Sequence, residues 1–408
     1  MSALFKLLLV FVGIVFLLSR RWNLAVVLVI ASVVIGVLFG YPLSDVAQDA
    51  VLASIDVLTL RLAVVVVLIM TLSELLRQTA GLQGMVEALQ ALIPGPVVIA
   101  ALPALVGLLP MVGGAMFSAP MVEEVGDRLG ADAERKTFVN YWFRHVWEYV
   151  FPLYPSMMLA AAMMGLTTFE LARATWPLAA TAIAGGAVFG LVGMHPGESA
   201  PDTDGLVPDP LRVLARSIWP IVLVIGLSLL LPVDERFSLV ISLLVTITLL
   251  MTVEGVPFAD LWDIFVARIP WKTVAVIFSA LIFRRVLDES GAVVAVSQDL
   301  TRLNVPLALV AFTVPFIAGL LTGLASAAFS IGFPVVAPLL ANSAGIIAPS
   351  WAAWLMAGGF LGVMLSPLHL CLALTRVYFH AEWGPIYRRM APAVLSVAIV
   401  AGALLISR

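Results

Sequence analysis

GLLPMVGGAMFSAP, Gly107 to Pro120, interrupts an apolar run with two prolines, a Gly-Gly pair and a serine. Such breakers free backbone N–H and C=O groups, and each one left facing hydrocarbon costs several kcal/mol. A membrane chain keeps a break of this kind only where protein buries it or where it lines a cavity. The stretch also has a counterpart 212 residues later, GLLTGLASAAFSIGFP, Gly319 to Pro334, with six identities in the first twelve positions. The same offset carries Tyr154-Pro155 onto Ser366-Pro367, while Gly81 and Pro96 meet Gly291 and Pro306 at an offset of 210. Breakers therefore fall on breakers, which is the mark of an internal repeat.

Around these stretches the 408 residues are 62% hydrophobic and 12% charged, with a mean hydropathy of +1.10. The composition predicts an all-α polytopic membrane protein, with about ten helices that can cross a ~30 Å hydrocarbon core and no strand alternation. Helices are expected near 3–19, 22–40, 57–77, 140–165, 174–194, 214–232, 236–253, 270–288, 351–376 and 390–406. The first reads as a retained helix, because Arg20-Arg21 follows it without a small-residue cleavage pattern. Two amphipathic segments, 79–92 and 290–303, lead into Pro/Gly-interrupted stretches at 95–126 and 305–340, which are expected to be re-entrant hairpins.

The chain thus divides into a first repeat (1–194), a polar linker (195–213) and a second repeat (214–408). With the Arg20-Arg21 turn inside, thirteen Lys and Arg fall on the cytoplasmic side and seven outside, a bias in the usual sense. The basic loop Arg128, Arg135, Lys136 then faces the uncharged ANSAGIIAPS (341–350), so the two repeats are expected to be inverted, with the linker cytoplasmic. The chain is expected in a membrane with this basic side toward the cytoplasm. A net charge of −3 without a basic block gives no sign of nucleic-acid binding. The single cysteine, Cys371, excludes an internal disulfide framework and a cysteine-based metal cluster.

Inverted repeats with corresponding breaks point to the binding site of a secondary transporter. The first hairpin tip runs from Gly113-Gly114 through Ser118; the second runs from Ala325-Ser326 through Ser330. The interrupted helices contribute PLYPS (Tyr154, Pro155, Ser156) and SPLH (Ser366, Pro367, His369). Half-helix N-termini there suit an anion, and freed carbonyls suit a cation such as Na⁺ near Gly113, Ser118, Ser326 and Ser330. The serine hydroxyls either take part in this or bond back to their own helices. Arg144, His145 and Glu148 lie at membrane depth just before the first break. Arg144 and Glu148, at i and i+4, either form an internal ion pair or act as counter-charge and proton carrier for an anionic substrate. His369 is either a second titratable group or an imidazole bonded to a carbonyl. The methionines 157, 158, 163 and 164 read as packing, since no His or Cys cluster accompanies them in the sequence.

LLPMVGGAMFSAP (108–120), FRHVWEYVFPLYPS (143–156) and LSPLHLCLALT (365–375) together resemble the domain-of-unknown-function 401 family of prokaryotic integral membrane proteins. That family is grouped with the ion-transporter superfamily, whose carriers handle citrate, gluconate, dicarboxylates, arsenite and Na⁺/H⁺ exchange. The resemblance implies an elevator-type carrier and a homodimer. Its mobile part would hold both hairpins with 140–165 and 351–376, and helices such as 22–40 and 236–253 would be scaffold. The dicarboxylate carriers of the superfamily show Ser-Asn-Thr at each tip, where this chain has Gly-Gly-Ala (113–115) and Ala-Ser-Ala-Ala (325–328). Dicarboxylate specificity is therefore not carried over, and proton coupling gains ground.

The expectation is a secondary active transporter of a small organic or inorganic anion, coupled to H⁺ or Na⁺, with no further cofactor. A translocase (flippase) for an anionic lipid carrier or head group is the alternative. An enzyme is not expected, because no HExxH motif, Ser/His/Asp set or paired aspartates appear. A passive channel fits less well, since paired hairpins suit occlusion more than an open pore.

Overall fold

The computed structural model describes residues 2–79, 88–89, 91–93, 96–109, 114–194, 209–233 and 235–407. Among them the chain is helical, with one isolated β-bridge between Ala341 and Ile347 and no named strand. The first half runs α1 (Ala3–Ser19), α2 (Leu24–Phe39), α3 (Leu43–Ile55), α4 (Val57–Gln78), α5 (Pro96–Gly107), α6 (Gly114–Arg128), α7 (Ala133–His145), α8 (Pro155–Met163) and α9 (Thr168–Gly186). The second runs α10 (Pro210–Leu230), α11 (Glu235–Glu254), α12 (Phe258–Asp263), α13 (Trp271–Glu289), α14 (Ala292–Arg302), α15 (Leu307–Thr322), α16 (Ala325–Leu340), α17 (Pro349–Leu365), α18 (Leu370–Tyr378) and α19 (Trp383–Ile406).

Among the described residues, six helical stretches are long and apolar enough to cross a membrane: Val57–Gln78, Thr168–Leu191, Pro210–Leu230, Phe237–Glu254, Pro349–Tyr378 and Trp383–Ile406. Phe258–Arg268 with Trp271–Glu289 passes the same test as a pair bent by 62°. Their exposed apolar residues, such as Leu230, Val253 and Ile406, clothe the outside. The chain is a multi-pass membrane protein.

Several boundaries differ from the sequence reading. The helix expected at 140–165 begins at Ala133, because Asp132 accepts a hydrogen bond from Arg135 N and caps it. It then stops at His145 and resumes at Pro155. α9 starts at Thr168 rather than 174, set by a capping box between Thr167 and Glu170. α10 starts at Pro210 under an Asp209 cap, so helix occupies the last residues of the expected linker 195–213; 195–208 lie outside the described residues. α19 starts at Trp383, not 390, and α17 at Pro349. The amphipathic helices α3 and α12 were not expected, since Asp45, Gln48 and Asp49, or Asp260 and Asp263, make their segments read as loops. Most of the amphipathic segment expected at 79–92 lies outside the described residues.

Two groups of helices emerge. α2 packs on α13, α4 on α11 and α13, and α10 on α11. The paired arms α5–α6 and α15–α16 pack instead with α7–α9 and α17–α19. Positions 212 apart do the same work in the second group. α5 packs on α7 as α15 packs on α17, and the second arm of each pair packs on the helix after the break in the other half, α6 on α18 and α16 on α8. Small residues permit this closeness: a Cβ on Gly107 would collide with the Arg144 carbonyl, and one on Gly319 would stand 2.5 Å from the Gly359 carbonyl.

Candidate functional site

Both breaks are built from residues that cannot continue a helix. After His145 the chain tightens into a 3₁₀ turn, Val146–Tyr149, and Pro152 lacks the N–H a further turn needs. The second break, Ser366–His369, likewise contains Pro367. Carbonyls freed at the breaks and arm ends are taken up by hydroxyls. Thr175 Oγ1 donates to the Tyr149 carbonyl, Tyr141 OH to Met364 O at 3.1 Å, and Tyr387 OH to Leu365 O at 2.9 Å. Tyr154 OH donates to Gly107 O and Ser366 Oγ to Leu320 O, tying each break to its own pair of arms.

The two breaks meet at a cavity of 610 Å³, a size suited to a small ligand. Its floor is Arg144, His145 and Glu148 from the first break and His369 and Cys371 from the second. Arg144 is 3% exposed, and its guanidinium lies so close to Gly114 that a Cβ there would stand 2.7 Å from Nε. His145 Nδ1 lies 2.6 Å from Tyr141 O, which makes it the donor and turns Nε2 toward Glu148 Oε1, 3.8 Å away. The 3₁₀ turn explains the latter contact, since it eclipses i and i+3. The i,i+4 pair of Arg144 with Glu148, expected for a continuous helix, is not among the described ion pairs.

Three helix N-termini point into this space: Tyr154 to Ser156 of α8, Leu324 to Ser326 of α16, and His369 to Cys371 of α18. None has a side-chain cap. The leading amides of Tyr154, Leu324 and His369 are already bonded and Pro155 has none, so the N–H groups that follow them in these first turns remain for a guest, and their dipoles favour negative charge. The rim comes from the other group of helices, with Ser73, Glu74 and Arg77 of α4 and Arg268 just before α13. Arg77 holds Glu74 through two bonds of 2.8 and 2.6 Å, and Arg268 approaches the same carboxylate at 3.9 Å. Three arginines thus face two glutamates in the cavity wall.

Of the residues singled out in the sequence, Arg144, His145, Glu148, Tyr154, Pro155, Ser156, Ser326 and His369 line the cavity. Ser118 does not: it is buried and donates to Asn140 Oδ1 at 2.6 Å, while Asn140 Nδ2 donates to Ala115 O and Thr375 Oγ1. Ser330 is buried and bonds back toward Ala327 O of its own helix. Ser366 serves the tie to Leu320, Pro367 is outside the lining, and Gly113 lies outside the described residues. The sequence reading missed Glu74, Arg77, Arg268 and Cys371 as wall residues. It also missed the His/Cys cluster: His145, His369 and Cys371 carry donor atoms within 4.8 Å of one another, although sequence spacing keeps the first far from the others.

A second, smaller cavity of 450 Å³ lies at the opposite ends of α4 and α8, lined by Asp56, Arg61, Met158, Ala162 and Thr167. The same helix pair therefore borders a cavity at each end. No curated protein matches the chain. The family described as "Protein of unknown function (DUF401)" matches residues 1–407, and the chain belongs to that family.

Proposed function

We propose that the protein is a secondary active transporter of a small anion. The observation that carries this reading is the convergence of Arg144 and three uncapped helix N-termini, drawn from both halves of the chain, on one cavity. A guanidinium supplies a full charge and planar donors, and the N-termini supply oriented N–H groups, which together replace an anion's hydration shell. The arms α5–α6 and α15–α16 are re-entrant hairpins in two inverted repeats, in keeping with membership of the ion-transporter superfamily.

Transport proceeds by an elevator motion. Hairpins and broken helices move as one body past a scaffold containing α2 and α11, carrying the floor from the Arg77–Arg268 rim toward the second cavity. That two cavities border opposite ends of α4 and α8 supports this reading. The positive rim supports an opening on the cytoplasmic side of a prokaryotic inner membrane in this state. Protons are the coupling ion: Glu148 and His145 stand in contact beside Arg144, whereas Ser118 and Ser330 spend their hydroxyls within the bundle. The protein works as a homodimer through its scaffold.

The test is a thermal-shift screen of the purified full chain against soluble anions and against lipid phosphates in mixed micelles, over a range of pH. A soluble anion should raise the melting temperature, since it binds the folded state alone, and Arg144→Ala should abolish that rise while the protein still folds. Stabilisation by lipid phosphates alone would instead identify a head-group translocase. Proteoliposome uptake of the stabilising anion, driven by a pH gradient and lost in Glu148→Gln, then tests the coupling.

A further inference from the structure

We infer that His145, His369 and Cys371 form a three-ligand binding site for a transition-metal ion of the Zn²⁺/Cu⁺ class on the cavity floor. The site stands independently of which anion, if any, the protein carries.

The donors are of the right kind. Two imidazoles and a thiol select borderline and soft ions, and Na⁺, Mg²⁺ and Ca²⁺ prefer oxygen. They are also in place: one ring nitrogen of each histidine and Cys371 Sγ lie within 4.8 Å of one another, and all three side chains are buried. Zn–N and Zn–S bonds of about 2.1 and 2.3 Å put tetrahedral ligands about 3.5 Å apart. Closure thus asks the donors to approach by roughly 1 Å, within the reach of side-chain rotation at that scale.

Two observations independent of that spacing point to a missing guest. Nδ1 of His369, a residue 9% exposed, meets no hydrogen-bond partner, and an unpaired buried ring nitrogen is costly unless something occupies it. His145, in turn, is already oriented as a metal ligand. Its Nδ1 bonds the Tyr141 carbonyl, which fixes the tautomer and leaves Nε2 as a lone-pair donor. The two rings stand edge to face with centroids 4.8 Å apart, so their nitrogens are not blocked by stacking. Glu148 Oε1, 3.8 Å from His145 Nε2, lies beside the cluster, and the fourth position opens on the cavity.

The neighbouring Arg144 does not forbid a cation here. Cys371 binds as the thiolate, its proton passing to solvent through the cavity, and the nearby Glu148 carboxylate adds a second negative charge against a divalent ion. His369 and Cys371 both line the open cavity, which gives the ion its route in.

The test uses the full-length protein in detergent, stripped with a chelator and titrated with Co²⁺, then with Zn²⁺, in the absence of any candidate anion. The expected result is one Co²⁺ per chain with a thiolate-to-cobalt charge-transfer band, displaced stoichiometrically by Zn²⁺. Cys371→Ser should remove the band, and both Cys371→Ser and His369→Ala should weaken Zn²⁺ binding at least 10-fold, while Ser330→Ala leaves it unchanged. Each variant is first shown to melt cooperatively without metal; if His369→Ala does not fold, Cys371→Ser decides. Absence of the band in the unaltered protein, or Zn²⁺ affinity unchanged in Cys371→Ser, overturns the proposal. Loss of metal binding leaves the anion reading standing, and failure of the anion screen leaves this one standing.

Discussion

Tyr154 and Ser366, 212 positions apart, each donate a hydroxyl hydrogen bond to a carbonyl at the end of the first arm in their own half, Gly107 O and Leu320 O. Different side chains thus serve the same purpose, fastening a broken helix to its paired arms where both backbones have lost internal partners. The tie also fixes the start of α8 and the lead into α18, so it holds two of the three N-termini that face the cavity.

Removing either hydroxyl leaves a buried carbonyl unpaired, at a cost of about 1–3 kcal/mol. Tyr154→Phe and Ser366→Ala are each expected to lower the melting temperature by a few degrees while the chain still inserts and folds. The double variant should show the sum, because the two ties share no partner. Melting curves of the three variants check this; a Tyr154→Phe protein as stable as the parent would show that the tie carries no load.

Gly107 and Gly114 both touch Arg144, but they should respond differently to alanine. A Cβ at Gly107 would run into the Arg144 backbone carbonyl, which cannot move without displacing α7. A Cβ at Gly114 would meet only the guanidinium end of a flexible side chain. Gly107→Ala is therefore expected to impair folding, at a cost of about 1–3 kcal/mol or more for overpacking. Gly114→Ala should fold yet push Arg144 from its seat and weaken anion binding about 10-fold, the equivalent of one charged contact of about 1.4 kcal/mol. Comparing melting temperature with anion titration separates the two effects.

Much of this arrangement was legible in the sequence because breakers are local signals. Pro152, Pro155 and Pro367 fall at the breaks, where a missing N–H and a fixed φ favour the end or the start of a helix, and Gly107 and Gly319 announce close packing without knowledge of the partner. Arg144 and Glu148 stood out because charge at membrane depth is costly. What could not be read was which distant residues share a space. Cys371 looked solitary until the second break brought it to His145, and Ser118 looked like a wall residue until Asn140 and Thr375 closed around it. The i,i+4 pairing, one of two readings for Arg144 and Glu148, rested on 3.6 residues per turn, a spacing that the 3₁₀ turn Val146–Tyr149 does not keep.

The rim offers a test of electrostatic steering. Glu74 neutralises part of the charge of Arg77 and Arg268, so Glu74→Gln should leave the mouth more positive while keeping hydrogen-bonding capacity. Anion association measured by stopped flow at low ionic strength should speed up by about 2–5-fold, and the gain should vanish as the Debye length falls toward ~3 Å near 1 M salt. A gain that survives high salt would mean that the substitution altered the cavity shape instead.

Away from the cavity, Asp49 anchors the other group of helices. It is 5% exposed, accepts from Arg285 Nε at 2.8 Å and from Tyr41 OH at 2.7 Å, and so joins α3 to α13 and to the turn after α2. Arg285→Ala would leave the carboxylate buried without its cation. The expected loss is about 2 kcal/mol, less than the 3–5 of a fully buried pair because the guanidinium reaches solvent. Tyr41 adds a pH signature. Its hydrogen bond to Asp49, then burial, then the carboxylate's charge push the phenol up from its ordinary 10 to about 12. A raised phenol stabilises the fold fully below pH 10 and loses that contribution as pH rises through 12. Tyr41→Phe should therefore be less stable than the parent at pH 8, with the gap narrowing between pH 10 and 12. Paired melting curves across that range decide it, and a gap independent of pH would show that the hydroxyl does not bear on Asp49.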